Sequence, residues 1–149
     1  MEALCRLCFG SATSYWHTKP QNGTGPWIMA DVENGVYPGN DSTIPPPIRH
    51  DYVTAILKGH RCEYAMKGGD SQTGKLTTYY DGIRPQHGRY NPMRKEGSII
   101  MGTGGDNSNG AVGIWNEEAM MTGYDTAAVD DALQASIVAL LIVGIGKWY

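Results

Sequence analysis

The stretch WIMADVE at residues 27–33 carries the period-two pattern of a β-strand. One face of this predicted strand is purely aliphatic and is formed by Ile28, Ala30 and Val32. The opposite face is predicted to meet solvent and is formed by Trp27, Met29, Asp31 and Glu33. Because Asp31 and Glu33 are two residues apart, their carboxylates project from the same face of the strand. The Asn34-Gly35 pair then predicts a turn.

Short strands separated by strong turn signals continue on either side of the proline-rich segment 37–47, which is predicted to be a loop. Further strands are predicted at residues 52–57, 64–67, 76–80 and 98–101, and extended structure at residues 111–121. Val53, Ala55 and Leu57 would share one face. A turn is predicted between Gly68-Gly69 and Gly74, and residues 81–97 are predicted to be irregular.

The pattern changes from Thr126 onward to the spacing of a helix. The apolar residues that follow this spacing are Ala128, Leu133, Ile137, Leu140 and Leu141. Asp125, Asp130 and Asp131 lie near its start, where the helix dipole favours negative charge. The sequence therefore predicts a mostly antiparallel β fold with one C-terminal helix, in a single domain over residues 1–149.

Composition narrows the class of ligand. The chain has 149 residues and a net charge of −3, which argues against a protein that binds the phosphate backbone of nucleic acid. It has 20 Gly, nine Tyr and four Trp but a single Phe, a balance that suits tight turns and an aromatic-lined polar surface. Carbohydrate is a natural ligand for such a surface.

Neither a metal, a cofactor nor a membrane is predicted. Cys5 and Cys8 form a C-x-x-C pair, but Cys62 follows alone and no second pair completes a zinc site. The longest apolar run, residues 137–145, is far shorter than the roughly 20 residues that span a bilayer. No secretory signal is visible in residues 1–15, although sequons at Asn22 and Asn40 fit a secreted ancestry.

Two features of the sequence are candidates for a functional site, and each also has a purely structural explanation. The acidic strand face of Asp31 and Glu33, with Trp27 beside it, could bind a sugar, or it could be an ordinary solvated face. The loop GTGGDNSNG at residues 102–110 is neither a phosphate-binding nor an EF-hand loop. Its glycines would let the backbone approach a ligand closely, or it could be a long hairpin turn.

Four uncommon strings together carry a resemblance to a known enzyme family. They are GPWIMADVEN at residues 25–34, LTTYY at 76–80, YNPMRKEG at 90–97 and GGDNSNG at 104–110. In this order they resemble the catalytic domain of the fungal-type α-L-arabinofuranosidases B, glycoside hydrolase family 54. The resemblance runs from about Met1 to the end of the chain, through MMTGY at residues 120–124.

The resemblance implies a concanavalin-like β-sandwich and an extracellular enzyme of L-arabinan catabolism. Such an enzyme removes terminal α-L-arabinofuranosyl units from arabinan and arabinoxylan with retention of anomeric configuration. The family's nucleophile falls on Glu33 and its general acid/base on Asp106. The family's sugar-contacting positions fall on Asp31, Asn34 and Gly105, and an aromatic residue beside the pocket falls on Trp16. The competing acids Glu96 and Glu117 are interpreted as structural or solvated.

The resemblance covers only the C-terminal half of the family's catalytic domain and no carbohydrate-binding β-trefoil. Half a sandwich leaves strand edges and an apolar face uncovered, so we expect the chain to self-associate. Two alternatives to a catalytic fragment remain open at this point. One is a glycan-binding remnant that keeps Trp16, Trp27 and Asp31 as a sugar surface, and the other is a product that does not fold.

Overall fold

The computed structural model describes residues 6–10, 25–31, 36–39, 46–60, 62–84, 114 and 116–144, with backbone only at residues 6–10, 31, 36 and 141–144. The elements in chain order are β1 (Arg6–Gly10), β2 (Trp27–Asp31), β3 (Val36–Tyr37), β4 (Val53–Gly59), β5 (Glu63–Asp70), β6 (Thr77–Ile83) and α1 (Ala127–Gly144). The prediction of a mostly β fold with one C-terminal helix is confirmed. No helix within the described ranges is both long and apolar enough to cross a membrane.

Sheet A is antiparallel, with strand order β1-β2-β3. Its central strand β2 is the strand predicted from WIMADVE, and it pairs with β1 from Gly10 opposite Trp27 to Arg6 opposite Asp31. Strand β1 was not predicted, because the segment around Cys5 and Cys8 has no clear alternation of apolar and polar residues. The two-residue strand β3 begins at Val36, so the predicted loop over residues 37–47 starts one residue too early.

Sheet B is also antiparallel, with strand order β4-β5-β6 and each strand joined to the next by a short connection. Its strands follow a period of two. Val53, Ala55 and Leu57 of β4 share one face, as predicted, and this face packs against the core. On β5 the core-facing residues Tyr64 and Met66 alternate with Ala65 and Lys67, whose side chains lie on the outer face.

The core lies between the two sheets, which contact each other through β2 with β5 and β1 with β4. Its buried members come from both sheets and from the segment before β4, and they are Ile28, Ala30, Tyr37, Ile48, Tyr64 and Met66. Tyr79 and Tyr80 of β6 pack against this cluster. The ring of Tyr80 lies 5.0 Å from that of Tyr64, centroid to centroid.

Two strands continue further than predicted. Strand β5 runs through Gly68 and Gly69 to Asp70 instead of ending at residue 67, and the turn predicted before Gly74 is confirmed at residues 71–74, where Gly74 has a φ of +88°. Position 68 of this strand is a glycine because a Cβ there would stand 2.3 Å from Cδ1 of Ile28 and would keep the two sheets from approaching as closely as they do. Strand β6 continues through residues 81–83, which were predicted to be irregular.

The predictions for the second half of the chain have mixed outcomes. Residues 116–121 are exposed and form no regular secondary structure, so the extended segment predicted over 111–121 is not a strand where it is described. The strand predicted at 98–101 lies outside the described residues. The helix predicted from Thr126 is confirmed, and the Thr126 carbonyl accepts hydrogen bonds from the amides of Val129 and Asp130.

Candidate functional site

Most residues of the predicted catalytic site lie outside the described part of the chain. These residues are Trp16, Glu33, Asn34, Gly105 and Asp106. The backbone of Asp31 is described, and it is the last residue of β2. There it faces Arg6 of β1 on one side and Val36 of β3 on the other. Paired strands thus flank the backbone of this predicted sugar-contacting position on both sides.

The prediction that one face of β2 meets solvent is wrong over the described residues. Trp27 and Met29 are each 3% exposed, as deeply buried as Ile28 on the opposite face. Trp27 therefore offers no exposed ring for a sugar, which removes one of the three residues of the predicted glycan-binding surface. Four consecutive apolar residues, WIMA at 27–30, are typical of a strand covered on both faces, and this was the signal available in the sequence.

The competing acid Glu117 is exposed and lies in a segment without regular structure, in agreement with its interpretation as a solvated residue. Glu96 lies outside the described residues. Within the described ranges, no group of three or more His, Cys, Asp or Glu side chains is arranged to hold a metal ion. Cys62 is an exposed free thiol. Cys8 lies in β1 opposite Met29, so the C-x-x-C pair overlaps a strand of sheet A.

A buried cluster of charged side chains lies on the outer face of sheet B. Asp130 of α1 is fully buried, and its Oδ2 lies 2.7 Å from Nζ of Lys58 and 2.6 Å from Nζ of Lys67. Nζ of Lys58 also donates to the carbonyl of Asp125 at 2.8 Å. Burial by itself would raise the pKa of Asp130, but the hydrogen bonds and charges of the two lysines outweigh it and hold that pKa below its ordinary value.

Tyr124 closes one side of this cluster. Nζ of Lys58 lies 4.8 Å from the centroid of the Tyr124 ring, a cation–π contact. The Tyr124 hydroxyl donates to Oδ1 of Asp81 at 2.8 Å. Burial, followed by the hydrogen bond to Asp81 and the nearby carboxylates, raises the pKa of Tyr124 well above its ordinary value. Sequence reasoning did not identify this cluster, because Lys58 and Lys67 lie more than 60 residues before Asp130 in the chain and no local pattern connects them.

Comparison with known proteins decides the family. A sequence profile of the family described as "Alpha-L-arabinofuranosidase B, catalytic" matches residues 1–142. The chain belongs to this family. The resemblance that the four strings carry is thereby confirmed.

Characterised relatives agree with the assignment to the α-L-arabinofuranosidase B family. The chain is 49% identical over 143 residues to an α-L-arabinofuranosidase of Hypocrea jecorina, a match that covers 93% of this chain and 27% of the relative. It is 49% identical over 120 residues to α-L-arabinofuranosidase B of Aspergillus oryzae, covering 78% of this chain and 24% of the relative. The chain thus spans about a quarter of the length of these relatives.

Solved structures of α-L-arabinofuranosidases share the fold. One is a glutamate-to-glutamine mutant of a glycoside hydrolase family 54 α-L-arabinofuranosidase soaked with 4-nitrophenyl α-L-arabinofuranoside. It has a TM-score of 0.81 and 40% identity, covering 92% of this chain and 28% of that one. Another is an arabinofuranosidase complexed with arabinofuranosyl-α-1,2-xylobiose. It has a TM-score of 0.74 and 37% identity, covering 93% of this chain and 33% of that one.

Proposed function

We propose that the chain is the part of a retaining α-L-arabinofuranosidase that carries both catalytic carboxylates, acting on terminal α-L-arabinofuranosyl units of arabinan and arabinoxylan. The observation that carries the proposal is the family match over residues 1–142, which includes Glu33 and Asp106. The ligands named for the related structures, an aryl arabinofuranoside and an arabinofuranosyl-xylobiose, support this substrate class.

Glu33 is the proposed nucleophile and Asp106 the proposed general acid/base. A retaining glycosidase uses two carboxyl groups roughly 5–5.5 Å apart. Glu33 would attack the anomeric carbon while Asp106 protonates the departing oxygen. Asp106 would then take a proton from the water that hydrolyses the glycosyl-enzyme. Asp31, the last residue of the paired strand β2, lies two residues before the proposed nucleophile in the sequence, which supports the assignment.

Hydrolysis of an aryl α-L-arabinofuranoside by the purified chain tests the proposal. Glu33→Gln and Asp106→Asn should each abolish turnover, whereas Glu117→Gln, which changes an exposed glutamate, should leave it unchanged. Adding azide separates the two roles. Glu33→Ala should give an arabinofuranosyl azide of inverted configuration, and Asp106→Ala an azide of retained configuration. Turnover that survives Glu33→Gln would contradict the assignment.

A non-catalytic glycan-binding remnant is the second candidate. The support for this candidate is reduced, because Trp27 is buried and only Trp16 and Asp31 remain of the three residues proposed to form its sugar-binding surface. Affinity electrophoresis in arabinan distinguishes the two. Retardation by arabinan without hydrolysis would favour the remnant, and hydrolysis that depends on Glu33 would exclude it.

We also propose that the protein acts outside the cell and that its copies associate. The sequons at Asn22 and Asn40 and the polymeric substrate support an extracellular location. Exposed apolar side chains at Ile83, Ile114 and Met120 support association between copies. Light scattering should show a mass that rises with concentration, and a monomer at every concentration would contradict association. Immunoblots of cells and culture medium test the location.

A further inference from the structure

The helix α1 meets sheet B with polar side chains. Its two fully buried described residues are Asp130 and Gln134, one turn apart on the same side of the helix. Nε2 of Gln134 donates to the carbonyl of Asp70 at 2.7 Å. Leu133, Ile137 and Val138 are only half-buried, whereas Val129 and Leu140 are exposed. The attachment of α1 therefore depends on polar contacts far more than an ordinary amphipathic helix does.

Asp130 is the centre of this attachment. Its Oδ2 atom forms ion pairs with Nζ of Lys58 in β4 at 2.7 Å and with Nζ of Lys67 in β5 at 2.6 Å, so the helix is connected to two neighbouring strands. Both lysine side chains are 8% exposed and Asp130 is 0% exposed. Removing one partner of a buried ion pair leaves an uncompensated charge, which costs far more than an exposed pair would.

The core between the sheets does not depend on α1. Among the described residues, every buried member of that core lies in sheet A, in sheet B or in the segment that contains Ile48, and none lies in the helix. The lysines alternate along β4 and β5 with core-facing residues, so they lie on the opposite face of sheet B. Loss of the helix would uncover that outer face and leave the contact between the sheets in place.

We infer that α1 is a charge-locked helix, held on sheet B by Asp130 between Lys58 and Lys67, and released as a unit when that carboxylate is neutralised while the two sheets stay folded. Several other titratable groups face this cluster. Tyr124 lies over Lys58, and Asp81 and Glu63 act on Tyr124. One turn further along the helix, Gln134 donates a hydrogen bond to the backbone carbonyl of Asp70. The side-chain carboxylate of Asp70 lies 3.7 Å from Nδ1 of His50, in the segment before β4.

Hydrogen exchange of the purified chain at neutral pH, read by peptide, tests the lock. Asp130→Asn should raise the exchange rates of α1 peptides by about 100-fold or more and leave β5 peptides unchanged. Asp131→Asn is the matched control, because this neighbouring aspartate is exposed and should change neither set of peptides. Equal loss of protection in α1 and β5, or no loss in α1, would overturn the inference.

A second variant separates charge from position. Lys58→Met, Lys67→Met and Asp130→Leu together replace the ion triad by apolar side chains, which proteins tolerate well. After correction for intrinsic exchange, protection of α1 in the natural chain should begin to fall below about pH 4, the ordinary carboxylate pKa, and should be lost at the lower pH where Asp130 of the folded chain takes up a proton. In the triple variant it should persist at that pH. Acid release of α1 to the same extent in both proteins would refute a charge lock.

Discussion

Replacing Gly68 by alanine probes the contact between the two sheets directly. Gly68 lies on the core face of β5, and a Cβ built on it would stand 2.3 Å from Cδ1 of Ile28 in β2 and 2.8 Å from Cε2 of Tyr79 in β6. The backbone carbonyl of Thr54 would lie 3.1 Å away. The added methyl therefore meets a side chain of the opposite sheet, a side chain of its own sheet and a backbone atom that cannot move aside.

The expected cost follows from two opposing effects. Overpacking of a buried site costs about 1–3 kcal/mol. Alanine recovers roughly 0.5–1 kcal/mol in a strand, because glycine loses more conformational freedom on folding. The net expectation is a loss of about 1–2 kcal/mol in the free energy of unfolding, measured by urea denaturation with tryptophan fluorescence.

Ile28→Val is the second substitution of a double-mutant cycle with Gly68→Ala, because it removes Cδ1, the atom nearest to the new methyl. Alone it should cost about 0.5–1.5 kcal/mol for the cavity that it leaves. In the Gly68→Ala background it should cost less by at least about 0.5 kcal/mol, because the methyl fills that space. Gly69→Ala is the control, since its Cβ would meet Lys75 and Leu76 and should not couple to Ile28. Additive costs at Gly68 and Ile28 would refute this account of how the sheets face each other.

Two further predictions concern single polar groups. Tyr64→Phe removes a buried hydroxyl that donates to the carbonyl of Gly39, and should lower the free energy of unfolding by about 1–2 kcal/mol in urea denaturation; an unchanged midpoint would contradict a role for this bond. Because the folded pKa of Asp130 is lowered, its contribution is present above the unfolded pKa of 3.8 and is lost as pH falls through the lower folded value. The stability difference between the natural chain and Asp130→Asn should therefore shrink as the pH falls below about 4, and a difference that stays constant with pH would contradict this.

The strands that sequence reasoning found are those with a clear local pattern. WIMADVE predicted β2, and the alternation of Val53, Ala55 and Leu57 predicted β4 and placed these three residues on one face. The helix followed from the change of period after Thr126. In each case the pattern repeats within one element, so it needs no knowledge of what that element packs against.

The failures share one cause, which is that a distant part of the chain decides the outcome. Gly68 looks like a turn residue until Ile28 of the other sheet is placed against it. Trp27 and Met29 look exposed because acids follow them on the same strand face, but the fold covers both faces of β2. Lys58 and Lys67 carry no sequence signal of a shared partner, because that partner, Asp130, comes from α1 more than 60 residues later.

Asp31, the predicted sugar-contacting residue whose backbone is described, and the charge lock lie on different elements. Asp31 is the last residue of the central strand of sheet A, whereas Lys58 and Lys67 lie on the outer face of sheet B. The core lies between the two sheets, and none of its described members belongs to α1. Neutralising Asp130 should therefore loosen the helix without moving β2. We therefore expect Asp130→Asn to leave the activity at neutral pH unchanged. A loss of activity in this variant would mean that the helix is coupled to the catalytic site through residues that do not belong to this core.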